Sequence, residues 1–540
     1  MADVFISYAR EDRDRVEQLA SALKSSGLNV WWDRNLSGGA EFSTIIETEL
    51  VAAGHAIVVW SEASRGSNWV RDEAELAREQ GKLVPLSLDG STPPLGFRQL
   101  HTLDFKGWDG DEKHASFYEL LECVGASKEV VTSALAEHRK FKKPGIAVLP
   151  FDNMSSDEEI TYVADGITED IISSLSTIKH LSVPARNSTF AYKGKSVNIA
   201  DVTKALDVRY VIEGSVRKLG SRIRITAQFI EATTGNHIWA NKFDLNLDEF
   251  YEKPDDVVEK ICGSVFAMLV WSEADRSENL PEEELGAWEY CQRSSATIGK
   301  GIGAMTTLRK AVRELDMALS IDPDYALAHV CIAWAYIAAY INGMYDDAEE
   351  AELLPKFLLH LQRARELADG DLLVTIYIGA CENFSGQQDL ALQTLEGVLK
   401  RNPAMAFAWY IICQNYAYLG RFDEGRNAIA RAEEIAPEGG FSPAHLWYRG
   451  LLEYIAGDFE RAMPLVERAV VQQPDYGYLN MVAAVMAHDT GKESLARKYI
   501  AQAKKHNPQL NPRKVNPMFM GQPDQEKAKR EFDLIVELWG

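Results

Sequence analysis

The spacing of apolar residues changes character twice along the chain. In about residues 1–126, short apolar runs at Asp3–Tyr8, Leu28–Asp33, Ala56–Ser61, Lys82–Leu88 and Leu100–Phe105 read as strands. Between them Val16, Leu19, Ala20 and Leu23 recur at helical spacing, as do Ile45, Ile46, Glu49 and Leu50. Ser67 or Asn68 is placed to cap a helix that runs to Gly81, a natural C-terminal stop. Fully apolar strands alternating with amphipathic helices predict a parallel sheet covered on both faces, with ligands at the carboxyl ends of its strands.

Residues 127–143 are polar and end in the basic run His138-Arg139-Lys140-Phe141-Lys142-Lys143 ahead of Pro144, which reads as a solvated linker. A second block, 144–270, predicts a strand at Gly145–Phe151, a helix at Gly166–Ser176, a strand at Leu181–Ala185 and a helix at Ile199–Leu206. Strands at Tyr210–Lys218 and Arg222–Glu231 follow, then a turn at Thr233-Thr234-Gly235-Asn236 and a short strand His237–Asp244. Asp165-Gly166 reads as a turn before the first of these helices. The block is a small α/β unit with a mixed sheet.

The third block, 283–540, is helical throughout and repeats. Gly386, Gly420, Gly457 and Gly491 are each followed 17 residues later by proline, at Pro403, Pro437, Pro474 and Pro508. Successive glycines lie 34, 37 and 34 residues apart. This is the tetratricopeptide period, in which glycine ends one helix of a pair and proline follows the other. Leu308–Pro323 matches a further second helix, and Tyr345 to Asp369 a degenerate unit. Stacked pairs form a concave surface suited to a peptide or another subunit. Trp409, Tyr410, Tyr416, Trp447, Tyr448 and Tyr454 fall mostly on core positions.

Composition narrows the function. A chain of 540 residues with 46% hydrophobic and 25% charged residues is ordinary globular protein of three or more domains. Its net charge of −23 repels phosphate backbones and anionic lipid, so neither nucleic acid nor membrane is expected as a partner. Cys123, Cys262, Cys291, Cys331, Cys381 and Cys413 are scattered without ligand spacing and read as small buried residues in a reducing compartment, with no metal. The N-terminus lacks a basic leader, and the longest apolar patch, Val265–Trp271, is far too short to span a bilayer. The protein is expected to be cytoplasmic.

Particular residues of the first block carry a family resemblance. Asp3-Val4-Phe5-Ile6-Ser7-Tyr8-Ala9-Arg10 opens the first strand, Asp33 ends the second and Ser61 the third. With them come the loop Arg34-Asn35-Leu36-Ser37-Gly38-Gly39-Ala40-Glu41-Phe42 and the run Trp69-Val70-Arg71-Asp72-Glu73. In these features the block resembles a TIR domain across nearly all its length. The resemblance implies a flavodoxin-like α/β fold and either of two functions: cleavage of the nicotinamide–ribose bond of NAD⁺, or assembly without chemistry. In enzymatic members a WxxxE glutamate is catalytic, and it maps onto Glu73. Ser7, Tyr8, Arg10, Asp33, Leu36, Gly39 and Trp69 are implied to bind substrate, with loop 34–42 also serving TIR–TIR contacts. Trp69 and Glu73, four residues apart, share a helix face; taken alone, Trp69 reads as core. Ala9 stands where enzymatic members often carry a second basic residue, which bears on pyrophosphate contacts and not on the glutamate.

The second block resembles a TolB amino-terminal-like domain through Ile146-Ala147-Val148-Leu149-Pro150-Phe151, Ala164-Asp165-Gly166-Ile167-Thr168-Glu169-Asp170, Ala185-Arg186-Asn187-Ser188, Tyr210-Val211-Ile212-Glu213-Gly214-Ser215-Val216 and Ala232-Thr233-Thr234-Gly235. It implies no catalytic residue. The chain is thus expected to be multidomain: TIR, small α/β domain, all-α tetratricopeptide solenoid. The expected function is NAD⁺ glycohydrolysis, with NAD⁺ as substrate and no cofactor, activated by self-association of TIR domains and governed by a protein or peptide held on the array. The alternative is a non-enzymatic scaffold.

Overall fold

The computed structural model describes residues 2–32, 40–100, 102–108, 110, 115–124, 143–195, 198–299, 305–343, 345, 347–437, 444–506, 508, 510–515 and 523–540. Two compact units divide it, Met1–Phe141 and Lys142–Gly540.

In the first unit the chain runs β1 (Val4–Ser7), α1 (Arg13–Ser25), β2 (Val30–Trp31), α2 (Ala40–Ala52), β3 (His55–Trp60), α3 (Glu62–Arg65), α4 (Asn68–Glu79), β4 (Leu83–Ser87), β5 (Leu103–Asp104) and α5 (Ala115–Cys123). The five strands are all parallel, in the order β2-β1-β3-β4-β5. Alternation along the strands divides the core. Val4 and Ile6 join Val16 and Leu19 of α1 and Phe117 and Leu120 of α5 on one face. Phe5 meets Ile46 and Leu50 of α2 on the other, where Val58 and Trp60 meet Val70 and Ala74 of α4. Strand order reverses between β1 and β3, and a crevice opens at the carboxyl ends of strands at such a switch point.

The second unit begins with β6 (Ile146–Val148), β7 (Asp152–Asn153), α6 (Glu159–Ser176), α7 (Arg186–Phe190), α8 (Ile199–Leu206), β8 (Tyr210–Leu219), β9 (Arg222–Glu231) and β10 (Asn236–Asn246). The sheet is mixed: β8 pairs parallel with β6 and β7 and antiparallel with β9, which pairs with β10. Two expectations fail here. Asp165 and Gly166 are not a turn but lie inside α6, because the buried stripe Ile160, Ala164, Ile167, Ile171 begins a turn and a half earlier. Leu181–Ala185 is not a strand; Ser182 alone bridges to Gly145, and Pro184 has no N–H to continue a ladder.

After α9 (Leu247–Glu252) and the long α10 (Asp255–Asn279) come α11 (Ala287–Gly299), α12 (Met305–Ile321), α13 (Ala326–Ile341), α14 (Asp347–Leu367), α15 (Leu372–Phe384), α16 (Gln388–Arg401), α17 (Ala406–Tyr418), α18 (Phe422–Ile435), α19 (Ala444–Ile455), α20 (Phe459–Gln472), α21 (Gly477–Asp489), α22 (Glu493–His506) and α23 (Gln525–Trp539). Gly386, Gly420, Gly457 and Gly491 sit between the two helices of their pairs at φ +82, +71, +82 and +74, where a side chain would be strained. The degenerate stretch 345–369 is a single long helix, α14, paired with α13.

The α/β part and the helical array share one hydrophobic core, running from Ile146 to Ile535. Their seam follows the turns between repeats. Asn402 donates to Ser174 O at 3.1 Å and Thr177 Oγ1 at 2.9 Å, and the Ser264 hydroxyl donates to Ile435 O at 3.1 Å. Gly263 lies so close that a Cβ there would come within 2.1 Å of Ile435 Cγ2 and 2.9 Å of Ala404 O. His180 is buried with its Nε2 2.9 Å from Asp371 Oδ2 and its Nδ1 3.1 Å from Tyr325 OH, under the ring of Trp288. Deeper in, the fully buried Glu273 of α10 accepts from Tyr210 OH at 2.7 Å, Arg276 Nη2 at 2.9 Å, Trp288 Nε1 at 3.0 Å, and Arg209. Burial opposes its charge, yet Arg276, Arg209 and Tyr210 hold its carboxyl below the usual range.

Of the six cysteines, Cys262, Cys291, Cys331, Cys381 and Cys413 are buried, as expected; Cys123, at the C-terminal end of α5, is exposed. Tyr410, Trp447, Tyr448 and Tyr454 are core, while Trp409 and Tyr416 are half-buried. Among the described residues no helix is long and apolar enough to cross a membrane.

Candidate active site at the carboxyl edge of the first sheet

The chain leaves β1 at the switch point through Ser7, Tyr8, Ala9 and Arg10. Ser7 falls on the Phe5 side of the strand, in register with Val58 of β3. Its hydroxyl is buried and meets no hydrogen-bond partner among the described residues. An orphaned buried hydroxyl costs free energy, which a bound polar group or water would recover. Tyr8 turns to the α1 side and rests on Trp32, ring centroids 6.0 Å apart. Arg10 opens a 3-10 turn, Arg10–Asp12, and is exposed.

Helix α4 brings the second group of residues. Its N-cap is Ser67, whose hydroxyl accepts from Val70 N–H at 3.3 Å. Val70, Ala74 and Ala77 form its buried stripe, so Trp69 and Glu73 fall together on the neighbouring row. Trp69 is not core: it is 46% exposed, because Val70 and not Trp69 lies over the sheet. Glu73 is half-buried. Since α4 runs antiparallel to the strands, its first turns lie at the same sheet edge as Ser7, Tyr8 and Arg10. Asp33, Leu36 and Gly39 lie outside the described residues.

Two carboxylates not anticipated from the sequence also occupy this edge. Asp12 stands at the N-cap of α1 but makes no capping bond; its Oδ2 accepts from the Ser61 hydroxyl at 2.6 Å, tying the end of β1 to the end of β3. Burial pushes the Asp12 carboxyl up, and Asp89 and Glu11 add to this against the lowering by Ser61 and Arg15. Asp89 accepts Glu62 N–H at 2.9 Å and Ser91 N–H at 2.8 Å, and these bonds outweigh burial and hold it low. Arg15 fixes the far side, donating to Leu88 O at 2.6 Å and to Phe105 O and Trp108 O at 2.9 Å. The signal for Asp12 was available in principle: it lies five residues beyond Ser7, and β1 and β3 are parallel neighbours.

The parallel sheet in this order defines an α/β domain of the flavodoxin-like class. Comparison with known proteins makes this more specific. Residues 4–121 match the family model of the TIR domain, and residues 142–261 match that of the HilA/YgeH-like transcriptional regulator, second domain. Residues 4–121 are a TIR domain, joined through the α/β segment to an array of tetratricopeptide-type helix pairs. The chain is 44% identical over 200 residues to "Putative adenylate cyclase 3" of Rhizobium meliloti (strain 1021), covering 37% of this chain and 34% of that protein. It is 39% identical over 89 residues to "NAD(+) hydrolase TcpA" of Theionarchaea archaeon (strain DG-70-1), covering 16% and 27%. The chain thus spans about a third or less of the length of these curated relatives. Among solved structures, a tetratricopeptide repeat protein from Parabacteroides merdae aligns at 15% identity over 47% of this chain and 97% of its own, TM-score 0.27. A human IFIT1 dimer aligns at 13% over 52% and 66%, TM-score 0.35.

Proposed function

We propose that the TIR domain is an NAD⁺ glycohydrolase with Glu73 as its catalytic carboxylate. The observation that carries this is the row Trp69–Glu73 on α4, at the sheet edge where Ser7, Tyr8 and Arg10 leave β1. The likeness of a short stretch of the chain to a protein named as an NAD(+) hydrolase supports it.

The chemistry asks little of the protein. As the bond between ribose C1′ and the pyridinium nitrogen breaks, its electron pair returns to the ring, so nicotinamide leaves neutral and needs no general acid, unlike the leaving group of most glycosidases. Positive charge develops on the ribose, and a carboxylate held beside it stabilises that charge where it forms. Water attacking C1′ yields ADP-ribose and a proton; an adenine nitrogen attacking instead yields a cyclic isomer. The Tyr8 ring offers a surface for stacking, the Arg10 guanidinium a charge for the pyrophosphate, and the Trp69 ring a wall for the ribose. Self-association of TIR domains, with loop 34–42 in the contact, is the proposed means of activation, and the array is the proposed means of control.

NAD⁺ loss followed by chromatography at high protein concentration with a crowding agent tests this. Wild type should release nicotinamide and Glu73→Ala should not. Intact NAD⁺ in both, while light scattering reports assembly, would favour a non-enzymatic scaffold.

A further inference from the structure

Two imidazoles join helices α13 and α14. His329 lies near the start of α13, and His360 in the C-terminal half of α14, beside its buried row Leu353, Phe357, Leu361 and Ala364. Both rings are half-buried. Their Nδ1 atoms stand 3.0 Å apart, with ring centroids 5.2 Å apart and planes inclined by 39°. Side chains on a helix lean toward its N-terminus, and the Nε2 of His329 reaches back to Pro323 O at 3.0 Å.

A carbonyl only accepts, so that bond fixes the His329 tautomer. Its Nε2 carries the hydrogen, and its Nδ1 lone pair faces His360. Metal-ligating histidines have the same arrangement, one nitrogen toward the ion and the other donating to a carbonyl or carboxylate. The spacing agrees. Two nitrogens ~2.0–2.1 Å from one ion and at right angles around it lie ~2.9–3.0 Å apart, whereas tetrahedral angles would set them ~3.4 Å apart. Right angles belong to square-planar and tetragonal sites, the geometry of Cu(II) and Ni(II) with nitrogen and oxygen ligands. The surroundings tolerate a cation. Lys356, one turn before His360, is paired with Glu352 at 2.6 Å, and Arg363, one turn after it, with Asp324 at 2.5 Å and Glu366 at 3.0 Å. Asp316 of α12 also lies within electrostatic reach of Lys356, so these two cations are outnumbered by carboxylates. The Tyr336 ring flanks His360, centroids 6.3 Å apart.

We propose that His329 and His360 form a binding site for a divalent cation of the Cu(II) and Ni(II) class, held by the two Nδ1 atoms in adjacent positions. Among the described residues no group of three or more His, Cys, Asp or Glu is placed to hold an ion, and water, which reaches the half-exposed rings, fills the other positions. On binding, the hydrogen that His360 Nδ1 donates to His329 is lost and His360 Nε2 takes one up, so both ligands are neutral imidazoles and no proton is released overall. Cu(II) binds most tightly, following the order of affinities of the first-row ions. The ion replaces one hydrogen bond between α13 and α14 with two metal–nitrogen bonds, and binding only the folded array stabilises it.

Titration of Cu(II) into the full chain, carrying no histidine tag and followed by electron paramagnetic resonance, tests the proposal. The first equivalent should give an axial spectrum whose echo modulation reports two equatorial imidazoles. His329→Gln and His360→Gln should each weaken Cu(II) binding about tenfold or more, and His488→Gln on α21 should leave it unchanged. Cu(II) should also raise the melting temperature of the wild type and not that of His360→Gln. The echo modulation needs only the wild type, so it decides even where circular dichroism shows a variant misfolded. Modulation from one imidazole or none would overturn the proposal, as would undiminished Cu(II) binding by a folded His360→Gln. The two rings would then be only a hydrogen-bonded fastener between helices.

Discussion

The two units treat charge in opposite ways. In the TIR domain the polar groups of the candidate site lie at an edge: Arg10 is exposed, Glu73 and Asp12 are partly buried, and the Ser7 hydroxyl is buried with no partner among the described residues. In the second unit carboxylates go fully inside and are paired there: Glu273 with Arg209 and Arg276, Glu289 with Arg276, Asp371 with His180, Glu453 with Arg426. A buried pair adds little net stability but penalises loss of either member heavily, so it fixes an arrangement. The Ser7 hydroxyl, which meets no partner among the described residues, is available to something that arrives. One unit is fastened and the other is set up to receive.

Four substitutions bear on this contrast, from the largest expected effect downward. Glu273→Ala leaves Arg276 and Arg209 without their central partner and should lower the stability of the second unit by about 3–5 kcal/mol in denaturant unfolding. Glu73→Gln keeps shape and removes charge. It should cut kcat for NAD⁺ about 10²–10³-fold while leaving the melting temperature in place, and a matching loss of stability would make Glu73 a fastener instead. Asn402→Ala removes two hydrogen bonds across the seam and should cost about 1–3 kcal/mol, read as faster amide exchange in both Ser174–Thr177 and the 402–405 turn.

The smallest effect concerns pH. Because burial raises the Asp12 carboxyl in the folded state, that state binds the proton more tightly than the unfolded chain does. Stability of the TIR unit should therefore fall as pH climbs from the ordinary carboxylate range toward the raised value. Asp12→Asn keeps an acceptor for Ser61 and should flatten that slope. A slope unchanged in the variant would assign it to another group.

What the sequence disclosed, it disclosed where one local rule acted alone. The glycines of the repeats require positive φ, and Ser67 caps α4 with a side chain three residues from the N–H it accepts; neither depends on the rest of the fold. Ile199–Leu206 and Arg222–Glu231 form the elements their patterns predict, at the same residues. Misreadings came where tertiary burial overrode the local signal. Gly166 looks like a helix start but is carried inside α6 by the stripe at Ile160 and Ala164. Trp69 looks like core but is displaced outward by Val70. The seam was illegible, since nothing in the residues around His180, Gly263 or Asn402 announces partners more than a hundred positions away. At the candidate site, Ser7, Tyr8, Arg10, Trp69 and Glu73 stood out through the TIR resemblance, whereas Asp12 could be found only once β1 and β3 were known to be neighbours. For the middle segment the motifs suggest a TolB amino-terminal-like domain, an expectation the comparisons do not show; the family model that matches residues 142–261 is the HilA/YgeH-like second domain.

The shared core of the second unit also has a consequence for how the protein is made. Gly263 and Ser264 are synthesised long before Ile435, against which they close. At about 5–20 residues per second, ribosomes need on the order of ten seconds or more to bring that partner out. Throughout that interval α10 lacks the later repeats that close on Gly263 and Ser264, although α11, made soon after it, already packs beside it. Newborn chains should therefore engage holdase chaperones at this helix, and chains truncated before α18 should be cleared by proteases and not accumulate as a stable fragment.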